Sequence, residues 1–320
     1  GWDEPPTGRG PETPFEWYGG DLVGLERRLG HVAELGANVV YLTPIFPAGS
    51  THRYDAASFD AIDPLLGGDD ALVSLVRAAH GRGMRVLGDL TTNHVGDRHP
   101  WFLAAQEGQE PERAFFYFDD RLETGYESWY GVPSLPKLDY RSPELCTRVF
   151  SGRGSIVRRW LEEPYSLDGW RIDVANMTGR RHDVDLVVEV SRGVAAAALA
   201  ARVDALLLAE HAHDAREDLR DGGWHGTMNY AGFTRPVWTW LRVDELPGEL
   251  ASGFFELPVA APRLPGAAAV ETMRRFRAGV PWRRVLHSWA ILDSHDTARF
   301  RTVSGSRERQ LVGVGLQMTT

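Results

Sequence analysis

The sequence predicts an α/β fold, a parallel sheet whose strands are joined by crossover helices. Three observations predict it. Short β-rich runs alternate with longer amphipathic ones, the pattern of repeated βαβ units. The chain has 320 residues, near the size of one α/β barrel with insertions and also enough for two ordinary domains. Its ionisable residues gather just after the β-rich runs, at ends that converge on one mouth when parallel strands close into a barrel.

In order along the chain, Asp21 to Leu35 has helical spacing and leads into Ala37 to Thr43 (ANVVYLT), which reads as a buried strand. Asp70 to Arg82 is the next helix, followed by the strand Met84 to Leu90 (MRVLGDL). Gly36 and Gly83 stand between helix and strand, where a left-handed C-terminal cap calls for glycine. Gly96 to Tyr140 breaks the rhythm: aromatics, Gly, Pro and charge without a clear helical period predict an insertion after a strand. The alternation resumes with a helix over Pro143 to Glu163, the strand Leu167 to Asp173 (LDGWRID), a helix over Val184 to Ala201 and the strand Ala205 to Ala209 (ALLLA). A second irregular stretch, Pro247 to Pro265, is expected to pack on the exterior, and Ser288 to Leu292 (SWAIL) reads as the last strand. No internal repeat interrupts this order.

Composition narrows the function. An apolar share of 43% with 25% charged residues suits a soluble protein with a sizeable core, and no uninterrupted apolar run approaches the ~18 residues of a membrane span. With 35 basic against 44 acidic side chains and a net charge of −9, there is no broad cationic face for a phosphate backbone, so nucleic acid is excluded as a partner and a neutral ligand fits better. Cys146 is the one cysteine; a disulfide within the chain or a cysteine zinc cluster cannot form, and with no charged-then-apolar leader this predicts a reducing cytoplasm. Lys137 is the one lysine among 35 basic residues, an arginine preference that reads as coding bias.

Asp89 and His94 follow the second strand, Arg171 and Asp173 close the third, Glu210 and His211 follow the fourth, and His295 and Asp296 follow the last. Each has an ordinary reading when taken singly: an aspartate as a turn former or helix cap, a histidine as a hydrogen-bonded structural residue, Arg171 as an ion-pair partner, Tyr54 as core. The joint pattern is harder to explain that way, because ionisable groups at the buried ends of apolar strands are costly unless paired.

The strings GDLTTNH (Gly88 to His94), GWRIDVANM (Gly169 to Met177), AEH (Ala209 to His211) and LDSHD (Leu292 to Asp296) resemble, in order and spacing, the four signature regions of the α-amylase superfamily of glycoside hydrolases. GANVVYLTPIF resembles its second-strand region, HRYDAASFDAIDP the loop after it, and LPKLD (Leu135 to Asp139) the inserted-domain motif of the neopullulanase, cyclomaltodextrinase and maltodextrin glucosidase branch. SLPKLDYRSPEL, GSIVRRWLEEPYSLDGWRIDV, and MNYAGFTRPVW with LDSHDTARF, lean toward maltodextrin glucosidases; Met177 stands where neopullulanases typically carry a glutamate and speaks against the neopullulanase reading. Thr91 replaces the usual valine; it is β-branched and nearly isosteric, so packing is expected to survive. The resemblance implies a (β/α)8 TIM barrel with a loop-rich domain inserted after its third strand: residues 1–94 as the first part of the barrel, 95–142 as the inserted domain, 143–320 as the remainder. Family members carry a first strand before the region where this chain starts and an eighth after it ends. The expectation is therefore a part of a longer protein that also has a C-terminal β domain and an N-terminal carbohydrate-binding domain.

By the same resemblance Asp173 is the nucleophile, Glu210 the general acid/base and Asp296 the third carboxylate, holding sugar hydroxyls at the bond being cut. A retaining glycosidase needs one ionised carboxylate to attack the anomeric carbon and one protonated carboxyl to release the leaving oxygen, roughly 5–5.5 Å apart. Arg171, two residues before Asp173 and on the same side of the strand, can keep that carboxylate ionised and aimed. His94 and His295 are implied to donate to sugar hydroxyls, Tyr54 to stack on the sugar face, and Asp55 and Asp89 to organise the site. Lys137 is expected to lie with its loop beside the pocket and support its wall. Asn93 aligns with a calcium-binding residue of many α-amylases, and a structural side-chain hydrogen bond is the expectation here. No cofactor is implied, a structural calcium ion and a homodimer are compatible, and the partner is an α-glucan oligosaccharide of the maltodextrin kind. Two alternatives stay open on sequence grounds: a transglycosylase using the same carboxylates, and a catalytically inactive carbohydrate-binding barrel.

Overall fold

The computed structural model describes residues 15–245 and 262–320. The chain divides into two compact units, residues up to Leu207 and residues from Leu208 onward, and each is described by itself.

In the first unit, β1 (Val39–Tyr41), β2 (Arg85–Thr91) and β3 (Gly169–Asp173) are parallel. The register aligns Tyr41 with Leu87, Asp89 with Arg171 and Thr91 with Asp173, so the polar C-terminal ends of β2 and β3 lie side by side. Six of the seven β2 residues are buried, as expected of a strand covered on both faces. Helix Leu22–Glu34 starts at Asp21, whose side chain accepts from Gly24 N, and helix Gly68–His80 precedes β2. Gly36 and Gly83 take φ of 80° and 70°, the left-handed caps the sequence calls for. Phe46, Phe59, Trp160 and Trp170 pack behind the sheet, with Phe46 5.3 Å from both Phe59 and Trp160 between ring centroids. Both indoles are satisfied: Trp160 donates to Phe59 O and Trp170 to Val157 O, each at 3.1 Å. At the opposite, N-terminal end of β3, buried Asp168 accepts from Val86 N (2.7 Å) and pairs with Arg202 (2.6 Å) and His80 (2.7 Å). This carboxylate ties strands and helices together far from the polar ends.

Three expectations need correction in this unit. Gly96 to Tyr140 is not free of helix: Pro100–Gln106 is helical, with His99 Nδ1 accepting from Trp101 N (3.1 Å) and Pro100 at the first turn. A proline at the first helical position was the signal. The single helix over Pro143 to Glu163 is instead two short α-helices, Pro143–Cys146 and Ile156–Arg159, with a π-helical turn Thr147–Ser151 between them; Gly152 and Gly154 fall in the gap, where glycine disfavours helix. The helix over Val184 to Ala201 begins at Val187, because residues before it form a small antiparallel hairpin of β4 (Arg180–Arg181) and β5 (Val184–Asp185).

In the second unit, β6 (Leu206–His211, entering from the first unit) runs parallel to β7 (Gly226–Asn229), with Glu210 opposite Met228 and His211 opposite Asn229. The strand expected over Ser288 to Leu292 contracts to one parallel bridge, Met228 to Trp289, held by Asn229 N to Trp289 O (3.0 Å) and Trp289 N to Thr227 O (2.9 Å). Helices Arg235–Leu241, Gly266–Ala278, Phe300–Ser304 and Arg307–Thr319 surround a core of Tyr230, Phe233, Trp238, Met273, Leu292 and Phe300. The stretch Pro247 to Pro265, expected on the exterior, lies outside the described residues up to 261. Parallel strands alternating with helices in each unit fit a (β/α)8 fold. Among the described residues no helix is long and apolar enough to cross a membrane.

Candidate active site

The polar ends of β2 and β3 are built around Arg171. Its side chain is fully buried, and its Nη1 donates to Asp173 Oδ1 at 2.7 Å and to Asp89 Oδ2 and Oδ1 at 2.9 and 3.1 Å. A buried guanidinium needs such partners, because an uncompensated charge there costs several kcal/mol. Tyr54 OH donates to Asp89 Oδ2 at 3.1 Å, and Tyr41 OH donates to the same oxygen. Burial pushes the Asp89 carboxyl up, while the charge of Arg171 and then the donated phenol hydrogen bonds pull against it. Burial, and then the charge of Asp89, raises both phenols far above their ordinary range, so each stays a neutral donor. Arg171 also lies 5.6 Å from the centre of the Tyr54 ring.

Asp173 Oδ2 faces His94 Nε2 at 3.8 Å. His94 is buried, and its ring is pushed down to a pKa of about 3, first by that burial and then by the Lys137 charge, so it is neutral near pH 7. Its Nδ1 faces Asn93 Nδ2 at 3.2 Å, and its Nε2 has no hydrogen-bond partner among the described residues. Lys137 is 4% exposed and spends its ammonium on Asn93 Oδ1 and on Met177 O (2.9 Å). The hydrogen bond expected at Asn93 is therefore present, with Lys137 as its donor. Asp55, read as an organiser, accepts from Gly49 N (3.0 Å) and from Ser50 instead, bracing its own loop.

The first unit thus brings together Tyr54, Asp89, His94, Lys137, Arg171 and Asp173. In the second, Glu210 is buried at the C-terminal end of β6, and the next residue, His211, pairs with Asp218 at 2.9 Å. His295 Nε2 and Asp296 Oδ2 lie 3.2 Å apart on an exposed turn. Among the described residues no group of three or more His, Cys, Asp or Glu is placed to hold a metal ion.

Two residues of the first-unit cluster escaped the sequence reading. Tyr41 looked like one more apolar member of ANVVYLT, although a phenol in a buried strand must place its hydroxyl somewhere. Trp129, in the aromatic-rich stretch, sits with its ring 6.4 Å from that of His94, and its indole Nε1 is buried with no partner among the described residues.

The family model of the alpha-amylase catalytic domain matches residues 6–318. The chain is 33% identical to neopullulanase 2 of Thermoactinomyces vulgaris, covering 95% of this chain and 48% of that protein. It is 30% identical to a cyclomaltodextrinase of Geobacillus thermopakistaniensis, covering 96% and 48%. The chain spans about half the length of these curated relatives. Among solved structures, the Nostoc punctiforme debranching enzyme superposes with a TM-score of 0.80 at 27% identity, covering 95% of this chain and 60% of that one.

Proposed function

The chain belongs to the alpha-amylase family, and we propose that it is the catalytic part of a retaining α-glucoside hydrolase acting on α-1,4-linked maltodextrins and releasing glucose or short products. The observation that carries this reading is the Arg171 bridge: one guanidinium nitrogen grips Asp89 and Asp173 together, fixing Asp173 Oδ1 and leaving Oδ2 facing His94. A carboxylate ion-paired to a buried cation stays ionised and aimed, which suits in-line attack on an anomeric carbon.

In this reading Asp173 attacks to form the glycosyl-enzyme, and Glu210 protonates the departing glycosidic oxygen, then takes a proton from the water that releases the sugar. Asp296 and His295 hold sugar hydroxyls, His94 donates from Nε2 to another, and Tyr54 supplies an aromatic face. Residues 95–142 act as the inserted domain. The names of the relatives support an α-glucan substrate. No cofactor takes part.

Asp173→Asn in the intact protein should lose essentially all turnover while still folding, since the amide keeps the shape but cannot form the covalent intermediate. Near-normal activity in that variant would remove Asp173 as nucleophile. With maltotriose, glucose and maltose are the expected products; longer oligosaccharides would assign the same carboxylates to a transglycosylase.

A further inference from the structure

We propose that Lys137 is a positioning residue, which acts through the Asn93 carboxamide to hold His94 as the tautomer carrying its proton on Nε2. The inference deepens the proposed function and rests on it only for what His94 meets in the site.

Residues 136–138 run antiparallel against 93–95, through Leu138 N to Asn93 O (3.0 Å) and Val95 N to Pro136 O (3.2 Å), with His94 and Lys137 bridged. That pairing fixes the lysine stem, and the ammonium lies between Asn93 Oδ1 and Met177 O. An ammonium has three donors and no acceptor, so the Asn93 atom facing it must be the carbonyl oxygen. The other end of the amide is then the NH2, and it faces His94 Nδ1 at 3.2 Å. An amide NH2 only donates, so Nδ1 must accept, and a neutral imidazole then carries its hydrogen on Nε2. That nitrogen lies 3.8 Å from Asp173 Oδ2 and is buried with no hydrogen-bond partner among the described residues, so its hydrogen is available to a ligand hydroxyl.

Each link is directional. A compact point charge seats between two carbonyl oxygens where the planar fork of arginine would not, which gives a physical reason for the one lysine in an arginine-rich chain. Met177 lies four residues after Asp173, so the same ammonium also ties the strand end bearing His94 to the turn that follows Asp173. Glu127 and Arg181 are the charges facing Lys137 and act in opposite senses. Around His94, Lys137 and His52 oppose protonation, and the Tyr54 backbone carbonyl acts the other way, favouring an N–H pointed at it.

The test is two-bond 15N–1H correlation on the intact protein labelled with 15N-histidine, His94 being assigned from a His94→Gln sample. The expected wild-type result is a protonated Nε2 and a bare Nδ1. Asn93→Asp keeps an acceptor for Lys137 but puts a carboxylate oxygen at Nδ1, so His94 should take a proton there and titrate well above about 3. Lys137→Met frees the amide to rotate; the His94 tautomers should become mixed, and KM for maltodextrins should rise about tenfold with a smaller change in kcat. A wild-type His94 protonated at Nδ1, or tautomers unchanged in Asn93→Asp, overturns the proposal. Should Lys137→Met not fold, Asn93→Asp decides alone. Failure of the glycosidase reading would appear separately, as Asp173→Asn retaining activity, and would leave the spectroscopic result standing.

Discussion

Thr91 carries an unmet obligation. Its hydroxyl is buried on β2, opposite Asp173 in the register, and has no hydrogen-bond partner among the described residues. The residue is 5% exposed, and an unsatisfied buried hydroxyl costs about 1–3 kcal/mol. Thr91→Val should therefore raise stability by about 1 kcal/mol in urea unfolding; a loss would mean the hydroxyl has a partner, and a fall in kcat would tie it to Asp173. Arg171 is the opposite case, a charge whose partners are all in place. Arg171→Met would leave Asp89 and Asp173 facing each other without their cation, and a broken buried pair costs about 3–5 kcal/mol; a denaturant midpoint within error of wild type would disprove that accounting. The grouping of Asp89, Arg171 and Asp173 was legible because parallel pairing of two recognisable strands leaves their polar ends nowhere else to go. Tyr41 was not, because a tyrosine inside an apolar run carries no periodic signal of where its hydroxyl points.

For whole elements, legibility followed burial and length. β2 and β3 stand out as apolar runs bounded by glycine and charge, and the helices before β1 and β2 end in glycines that the structure places in the left-handed region. β7 was missed because four residues, Gly226–Asn229, are too few to show a period, and its pairing with Ala209 to His211 is a property of the neighbouring strand. The run Pro143 to Glu163 misled for the reverse reason: its apolar spacing is helical, but the glycines at 152 and 154 allow a break that side-chain periodicity cannot report. Gly169 shows how tightly an element start can be specified. It takes φ of +149°, and a Cβ built on it would lie 2.0 Å from Leu206 O, so both the dihedral and the space require glycine. Gly169→Ala should destabilise the protein by roughly 3 kcal/mol or more, since backbone must shift to admit the methyl. Soluble expression with an unchanged thermal midpoint would show that β3 can begin in another conformation.

Taken as a whole, the molecule should be sensitive to acid at a pH where its carboxylates are still ionised, and two buried histidines are the cause. His94 and His99 are each pushed down to a pKa of about 3, chiefly by burial, with a cation next in each case, Lys137 and Arg148 respectively. Each also uses Nδ1 as an acceptor, from Asn93 and from Trp101 N, so a proton there would remove a hydrogen bond as well as bury a charge. In the unfolded chain both titrate near ~6.5. Between about 6.5 and about 3 the unfolded state therefore binds more protons than the folded state, and stability rises with pH across that window. The contribution is complete above ~6.5 and is lost as pH falls, by up to ~1.4 kcal/mol per pH unit for each histidine. The upper part of the window, above ~5.5, lies clear of ordinary carboxylate titration, so the slope there is chiefly that of histidine. Urea unfolding of the intact protein from pH 7 to 5.5 should show stability falling steadily. The double variant His94→Gln, His99→Asn replaces both rings with neutral amides, and the introduced asparagine can still cap helix Pro100–Gln106; its profile should be flatter over the same range. A wild-type profile already flat between pH 7 and 5.5, or ring signals of His94 and His99 that titrate near 6.5, would mean that these rings are charged in the folded state and that the site around Asp173 carries a cation that its geometry does not accommodate.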